Sequence, residues 1–249
     1  MTDNNMITVQ ELKVAYGERV ILEHINFSVK RGEVFVILGG SGCGKTSLLR
    51  QMIGLEQPAK GDVFLNDKNI VKAEGDERDA ILRHIGVMFQ SGALFGSMTL
   101  LENVRLPLEE LTELPWDAIN AMAHDKLKLV GLDEFAHFMP AEISGGMQKR
   151  ASIARALALD PAILFLDEPS AGLDPVTSAT LDALILKLSR ILGMTFVVVT
   201  HELPSIYAIA DRVIMLHDRG IIAEGKPEAL QKESDNPFVK QFFNREATV

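Results

Sequence analysis

The 249-residue chain predicts an α/β fold built on a mostly parallel sheet. Three observations carry that expectation. Strand-like and helix-like stretches alternate along the chain. Residues 33–38 form a short apolar strand pattern that runs straight into a glycine cluster. A helix follows the cluster, with apolar positions Leu48, Leu49, Met52 and Ile53. Finally, residues 163–166 form a second apolar run, ended by two acids, Asp167 and Glu168.

The elements follow in order. Residues 7–14, 20–29 and 62–65 read as short strands, with turns at Tyr16-Gly17 and Arg31-Gly32. Residues 91–159 read as mainly helical, with breaks near Pro107, Pro115, Gly131 and Pro140. This stretch is expected to form an inserted helical subdomain. Strand character returns at 162–166 and 195–200. Between them Leu181, Leu184, Ile185, Leu188 and Ile191 recur at helical spacing, and Gly193 is placed to stop that helix. After Gly225 a short polar tail carries two candidate helical turns, around 228–231 and 238–243. Phe238, Phe242 and Phe243 on that tail are expected to dock, on the chain's own core or on a neighbour.

Composition narrows the function classes. With 25 Lys+Arg against 34 Asp+Glu, the net charge is −9. That balance argues against general binding along nucleic-acid backbones, which favours a basic face. One cysteine excludes a disulfide framework and is compatible with a reducing cytosol. A mean hydropathy of +0.13 leans apolar and leaves room for a partner surface. No apolar run approaches the roughly 20 residues needed to span a bilayer. The N-terminal residues lack the basic-then-apolar pattern of a secretory signal. A membrane role is therefore expected to need another chain. The histidines, His24, His84, His124, His137, His201 and His217, are scattered, without zinc-ligand pairing in the sequence.

The glycine cluster Gly39-Gly40-Ser41-Gly42-Cys43-Gly44-Lys45-Thr46 matches G-x-x-x-x-G-K-[ST]. Glycines let the backbone curl so that successive N–H groups meet phosphate oxygens, and the helix start adds its positive dipole end. Lys45 would reach the β/γ-phosphates and the Thr46 hydroxyl would ligate Mg²⁺. The spacing is not that of the dinucleotide fingerprint. Cys43 inside the loop is either a small side chain that fits or a thiol activated by the helix start. The sequence favours the first, with alkylation expected to block the loop by bulk.

At the end of the second apolar strand, Asp167 would hold the metal and Glu168 would polarise an attacking water. General bases of this kind contribute ~10²–10⁴ in rate. A second glycine cluster, Ser144-Gly145-Gly146-Met147-Gln148, precedes another helix. Ser144 is a good N-cap, and the glycines leave N–H groups open to an anion. The chain thus carries two phosphate-binding loops about 100 residues apart, and one nucleotide cannot obviously use both within a monomer.

Taken in order, these motifs resemble the ATP-binding cassette family over nearly the whole chain. Residues 39–47, ending at Ser47, match Walker A. Gln90 matches the Q-loop, residues 144–148 the signature motif and residues 163–168 Walker B. Residues 171–174, ending at Asp174, match the D-loop. His201 matches the switch histidine, and Tyr16 falls where the family places an aromatic that stacks on adenine. The resemblance implies a P-loop NTPase core of RecA type, with an N-terminal antiparallel β subdomain and an inserted helical subdomain. One cassette would span 1–249. Residues 1–90 and 160–225 would form the core and β subdomain, 91–159 the helical subdomain and 226–249 the tail. It implies ATP and Mg²⁺ as cofactors, with Thr46, Gln90 and Asp167 at the metal. It also implies catalysis by Glu168 and His201 with Lys45 and Gln90. A head-to-tail homodimer would close Ser144, Gly145 and Gly146 of one chain on ATP held by the other, with Asp174 communicating across it. Met147 departs from the family's usual Gln and removes an amide on the adenosine side.

Two stretches, residues 88–95 and 139–147, further resemble the ATPases of Mla-type lipid transporters. That resemblance implies permease subunits, an MCE-domain protein, a small STAS-domain subunit and a phospholipid-like cargo. The chain would sit on the cytoplasmic face of the bacterial inner membrane. An importer cassette for a polar nutrient and a regulator of the cell-division type stay open as alternatives. Ala93, Leu94, Phe95, Met98, Leu100 and Leu101, just after Gln90, would either meet a permease or pack the subdomain's own core.

Overall fold

The chain opens with two long antiparallel strands, β1 (Asn5–Tyr16) and β2 (Arg19–Lys30), followed by β3 (Val34–Gly39) and α1 (Lys45–Met52). These come from a computed structural model that describes residues 4–245; expectations that fall on 1–3 and 246–249 lie outside the described residues. Next come β4 (Lys60–Leu65), β5 (Lys68–Asn69), α2 (Gly75–Leu82) and β6 (Ile85–Met88). The helical stretch contains α3 (Leu100–Leu111), α4 (Trp116–Leu129) and α5 (Gly145–Ala156). Then follow β7 (Ile163–Asp167), α6 (Pro175–Leu192), β8 (Thr195–Val199), α7 (Leu203–Ile209), β9 (Arg212–His217) and β10 (Gly220–Gly225). The chain ends in α8 (Pro227–Glu233) and α9 (Pro237–Asn244).

The strands form two sheets. A four-stranded antiparallel sheet has the order β2-β1-β4-β5. A six-stranded sheet has the order β10-β9-β3-β8-β7-β6, parallel except for β10. Successive side chains of a strand point to opposite faces, so each face of a doubly covered sheet takes alternate residues. Val34, Val36, Leu38, Leu164, Leu166, Phe196 and Val198 enter one apolar cluster, against the helices α3–α7. Phe35, Ile37, Ile163, Phe165, Val197 and Val199 enter the other, against the antiparallel sheet and α1. Every residue of β3, β7 and β8 is consequently buried.

The predicted breaks in the helical stretch hold at Pro115, Gly131 and Pro140 but not at Pro107. Pro107 lies inside α3, half-buried, and the helix continues through it. A capping box fixes the start: Thr99 accepts from the Glu102 N–H at 3.2 Å, and Glu102 accepts from the Thr99 N–H at 2.7 Å. Leu100, Leu101, Val104 and Leu108 then bury one stripe. Four such side chains, at about 1.5–3 kcal/mol each, outweigh the roughly 3 kcal/mol that an interior proline costs. Their cluster is continuous with one face of the sheet. Ile191 also differs from expectation: it shares the spacing of the α6 stripe but faces solvent, 65% exposed. Gly193 ends α6 with φ 62°, a left-handed value. The tail docks on its own chain, with Val239 and Phe243 of α9 buried.

The α5 helix crosses close to β6. A Cβ placed on Gly86 would lie 2.2 Å from the Ala156 carbonyl oxygen and 2.6 Å from Leu164 Cδ1. Gly86→Ala is expected to lower unfolding free energy by about 1–3 kcal/mol, the usual range for overpacking. Urea denaturation measures it, and an unchanged midpoint would contradict this packing.

Candidate functional site

Strands β3, β7 and β8 end on one edge of the sheet. Ile37 and Asp167 both pair with Val199, and Gly39 pairs with Leu216. The glycine loop, the acid pair and residues 200–201 therefore meet at that edge, the usual ligand position in open parallel sheets. Gly39 cannot carry a side chain there. A Cβ would lie 2.5 Å from the Leu216 carbonyl oxygen and 2.6 Å from Cys43 Sγ. Gly42 and Gly44 adopt positive φ of 74° and 103° as the loop turns into α1.

Within the loop the buried Lys45 Nζ donates to the Gly39 and Gly40 carbonyls, at 2.9 and 3.1 Å. Thr46 Oγ1 donates toward both Asp167 carboxylate oxygens, each at 3.3 Å. Burial pushes the Asp167 carboxyl above the ordinary aspartate range, and the Thr46 contact opposes that shift. A hydroxyl and a desolvated carboxylate in contact are the hard oxygen donors that suit Mg²⁺. One residue on, Glu168 holds φ 47°, an unusual backbone for a non-glycine residue. Its N–H is fixed by the Val199 carbonyl at 2.8 Å. Glu168 Oε1 meets His201 Nδ1 at 2.9 Å, while the buried Oε2 has no protein partner.

The loop, Glu168 and His201 line a cleft of about 740 Å³, with Asp167 behind Thr46. Gly39, Gly40, Ser41, Gly42, Gly44, Lys45, Thr46 and Ser47 form its floor, with Gln90, Glu168 and His201 at one side and Tyr16 also lining it. Tyr16 is 47% exposed, and its hydroxyl donates to Glu56 at 2.5 Å. Cys43 is not among the lining groups. Its half-buried side chain packs against the apolar cluster beneath the loop, with Sγ 2.6 Å from where a Cβ on Gly39 would stand.

Ser144, Gly145, Gly146 and Asp174 do not join this cleft. Ser144 caps α5, accepting from the Met147 N–H at 3.3 Å. Ser144, Gly146 and Met147 line a second hollow of about 290 Å³, between the starts of α5 and α6. Of the two glycines, Gly146 is fixed by packing, since a Cβ would lie 2.3 Å from Thr177 Cγ2; Gly145 has 3.8 Å to Leu173. Asp174 is the N-cap of α6, accepting from the Val176 and Thr177 N–H groups at 3.0 and 3.1 Å.

Several residues at the site had no motif to reveal them. Lys149 donates to the Gln90 carbonyl, and Arg155 donates to the Ala93 and Gly92 carbonyls at 2.7 and 3.0 Å. The α5 helix thus clamps the loop after β6. Burial lowers the Lys149 pKa, opposed by the charges of Asp167 and Glu168. The fully buried Asn103 closes the same loop from α3, through Phe95, Met98 and Thr99. Leu100 and Leu101 are core residues and Leu94 packs against them, whereas Phe95 is 49% exposed. A cation among buried groups, adjacent to a motif, is the only sequence signal that Lys149 offers.

A phosphate loop facing a strand-end acid pair defines a nucleotide-hydrolysing cassette. Residues 22–171 match the family model described as ABC transporter, and the chain belongs to that family. It is an ATPase, and its cofactors are ATP and Mg²⁺. The chain is 40% identical over 240 residues to the intermembrane phospholipid transport system ATP-binding protein MlaF of Escherichia coli K12, covering 96% of this chain and 89% of that one. It is 38% identical over 245 residues to the MlaF of Haemophilus influenzae, covering 98% and 92%. A probable ribonucleotide transport ATP-binding protein, mkl of Mycobacterium leprae, is 40% identical over 238 residues, covering 96% and 68%. Among solved structures, the dimeric cassette MJ0796 in a post-hydrolysis state with ADP and phosphate superposes with a TM-score of 0.81. The identity is 34%, with 89% and 98% of the two chains covered. CbiO1 of Clostridium perfringens gives 0.85 at 30% identity, covering 92% of each chain.

Burial raises the Cys43 pKa, against the opposing charge of Lys45. A raised pKa leaves the thiol protonated at neutral pH, and the thiolate is the reactive form. Iodoacetamide labelling of the folded chain is therefore expected to be several-fold slower at pH 7.5 than that of a free thiol, and to accelerate above about pH 9. Labelling as fast as free cysteine at pH 7.5 would contradict this placement.

Proposed function

We propose that this chain is the ATP-hydrolysing subunit of a transporter that moves phospholipid, or a related hydrophobic molecule, between envelope membranes of a Gram-negative cell. The observation that carries this reading is the 40% identity to MlaF across 96% of the chain. Two copies form the working unit, bound to permease subunits at the cytoplasmic face of the inner membrane. An MCE-domain protein and a small STAS-domain subunit complete the complex. The exposed Phe95, beside Gln90, supports a permease contact there.

In this reading the loop amides and Lys45 bind the phosphates. Lys45 exchanges its carbonyl partners for phosphate oxygens as the nucleotide enters. Thr46, Asp167 and Gln90 would hold Mg²⁺, which would supply charge neutralisation at the phosphates. Glu168 orients the attacking water and takes its proton. His201, bonded to the other Glu168 oxygen, keeps that carboxylate aimed and meets the γ-phosphate. The strained Glu168 backbone suits this role, since strain of this kind clusters at functional sites. Ser144, Gly145 and Gly146 close on the nucleotide of the opposite copy, which accounts for their distance from this chain's own cleft. Asp174 caps α6 within its own chain and carries contact between the copies.

A second reading is import of a polar nutrient, favoured by the equal identity to the protein named for ribonucleotide transport. Glu168→Gln is expected to bind ATP, lose at least about 100-fold of hydrolysis and sediment as a dimer with ATP. Monomers alone at saturating ATP would count against the paired arrangement. Affinity capture of that variant from native membranes separates the cargo readings. Recovery of a permease, an MCE protein and phospholipid supports lipid transport; recovery of a solute-binding protein supports nutrient import.

A further inference from the structure

One wall of the nucleotide cleft comes from a part of the chain outside every motif. Phe242, on α9, lines the cleft together with Tyr16, Arg19 and Ile21. Other residues set the helix in place. Val239 and Phe243 are buried. The Phe243 ring lies 6.0 Å from that of Tyr207, and the Phe238 ring 3.8 Å from that of His217. His217 ends β9, next to Leu216, which pairs with Gly39 at the start of the phosphate loop. Phe238 and Phe242 are four residues apart and so share a helix face. Phe238 covers the strand end beside the loop, while the partly buried Phe242 packs one side of its ring against the core cluster and the Phe243 ring, 5.4 Å away, and lines the cleft.

The chemistry of a phenyl ring decides what it meets there. Phosphates require N–H donors and cations, which the loop amides and Lys45 supply. A ring supplies neither, and it would desolvate a phosphate without compensation. It does present a flat apolar face to a planar base. We propose that Phe242 is a second aromatic contact for the nucleotide base, so that the C-terminal helix forms part of the nucleotide site within its own chain. The ligand class is a purine nucleotide, held at the base end by Tyr16 and Phe242. The inference rests on the cleft around Lys45 being the ATP site.

Calorimetric titration of the purified chain with Mg·ADP, and separately with Mg·pyrophosphate, tests it. Base–aromatic stacking is worth about 1–3 kcal/mol, so Phe242→Leu is expected to weaken ADP binding about fivefold or more. Pyrophosphate, which has no base, is expected to bind Phe242→Leu as it binds the parent chain. Phe242→Tyr keeps the ring face and is expected to bind ADP within about twofold of the parent. Should Phe242→Leu fail to fold, Phe242→Met carries the same expectation. Unchanged ADP affinity in Phe242→Leu overturns the proposal. Tighter ADP binding also overturns it, because the ring would then be occupying the nucleotide's space. Equal weakening toward ADP and pyrophosphate makes the effect one of loop structure and overturns it too. Lys45→Ala separates the two levels: if it loses both ligands while Phe242→Leu loses neither, the site stands and only the aromatic contact falls. If Lys45→Ala loses neither, the site assignment fails along with the inference.

Discussion

A strand buried on both faces has no place for a polar side chain except at its end. Strands β3, β7 and β8 are in that position: every residue is buried, and all but the end residues Gly39, Asp167 and Thr195 sit inside one apolar cluster or the other. The acids, the glycine loop and the histidine therefore gather at one edge of the sheet. The register of three parallel strands, more than any single contact, sets the distances among Thr46, Asp167, Glu168 and His201. The same burial raises the cost of ionising Asp167. A cation brought to Thr46 and Asp167 would offset that cost, so the proposed cation site would share one physical origin with the core.

The parts legible from the sequence were those written locally. Glycine spacing, apolar strand runs and capping residues each depend on a few neighbours, so the phosphate loop, β7 and its acids, and the Ser144 cap could be read directly. The continuation of α3 through Pro107 could not. It depends on four leucine and valine side chains meeting a cluster built from the rest of the chain. Lys149, Arg155 and Asn103 were missed for the same reason, since each bonds carbonyls of a loop many residues away or folded back on itself. Cys43 shows the limit from the other side. Its place in a motif said nothing about where its thiol points.

The two glycine-led helix starts are not equivalent. Around Lys45 the loop is surrounded by the acid pair, Gln90 and His201, and a cleft results. Around Ser144 there is a smaller hollow, walled by α6. Gly146 is small because Thr177 stands against it, whereas Gly145 is open. At the α5 start Ser144 caps the Met147 N–H, and Ser144, Gly146 and Met147 line that hollow. The similar cassette MJ0796 is dimeric, and the proposed pairing of two copies would set this hollow against the nucleotide of the other.

The clamp between α5 and the loop after Gln90 has a consequence for how such cassettes diversify. Lys149 and Arg155 bind the carbonyl oxygens of Gln90, Gly92 and Ala93, and carbonyls are common to all residues. Gly92 is constrained, with φ 73° and Ser152 Oγ 2.6 Å from where a Cβ would stand. Its neighbours Ala93 and Phe95 are exposed, and only Phe95 touches the clamp through its side chain, its ring 5.9 Å from the Arg155 guanidinium. Position 93 can therefore change while the joint, built on main-chain oxygens, stays as it is; a change at 95 removes one contact to Arg155.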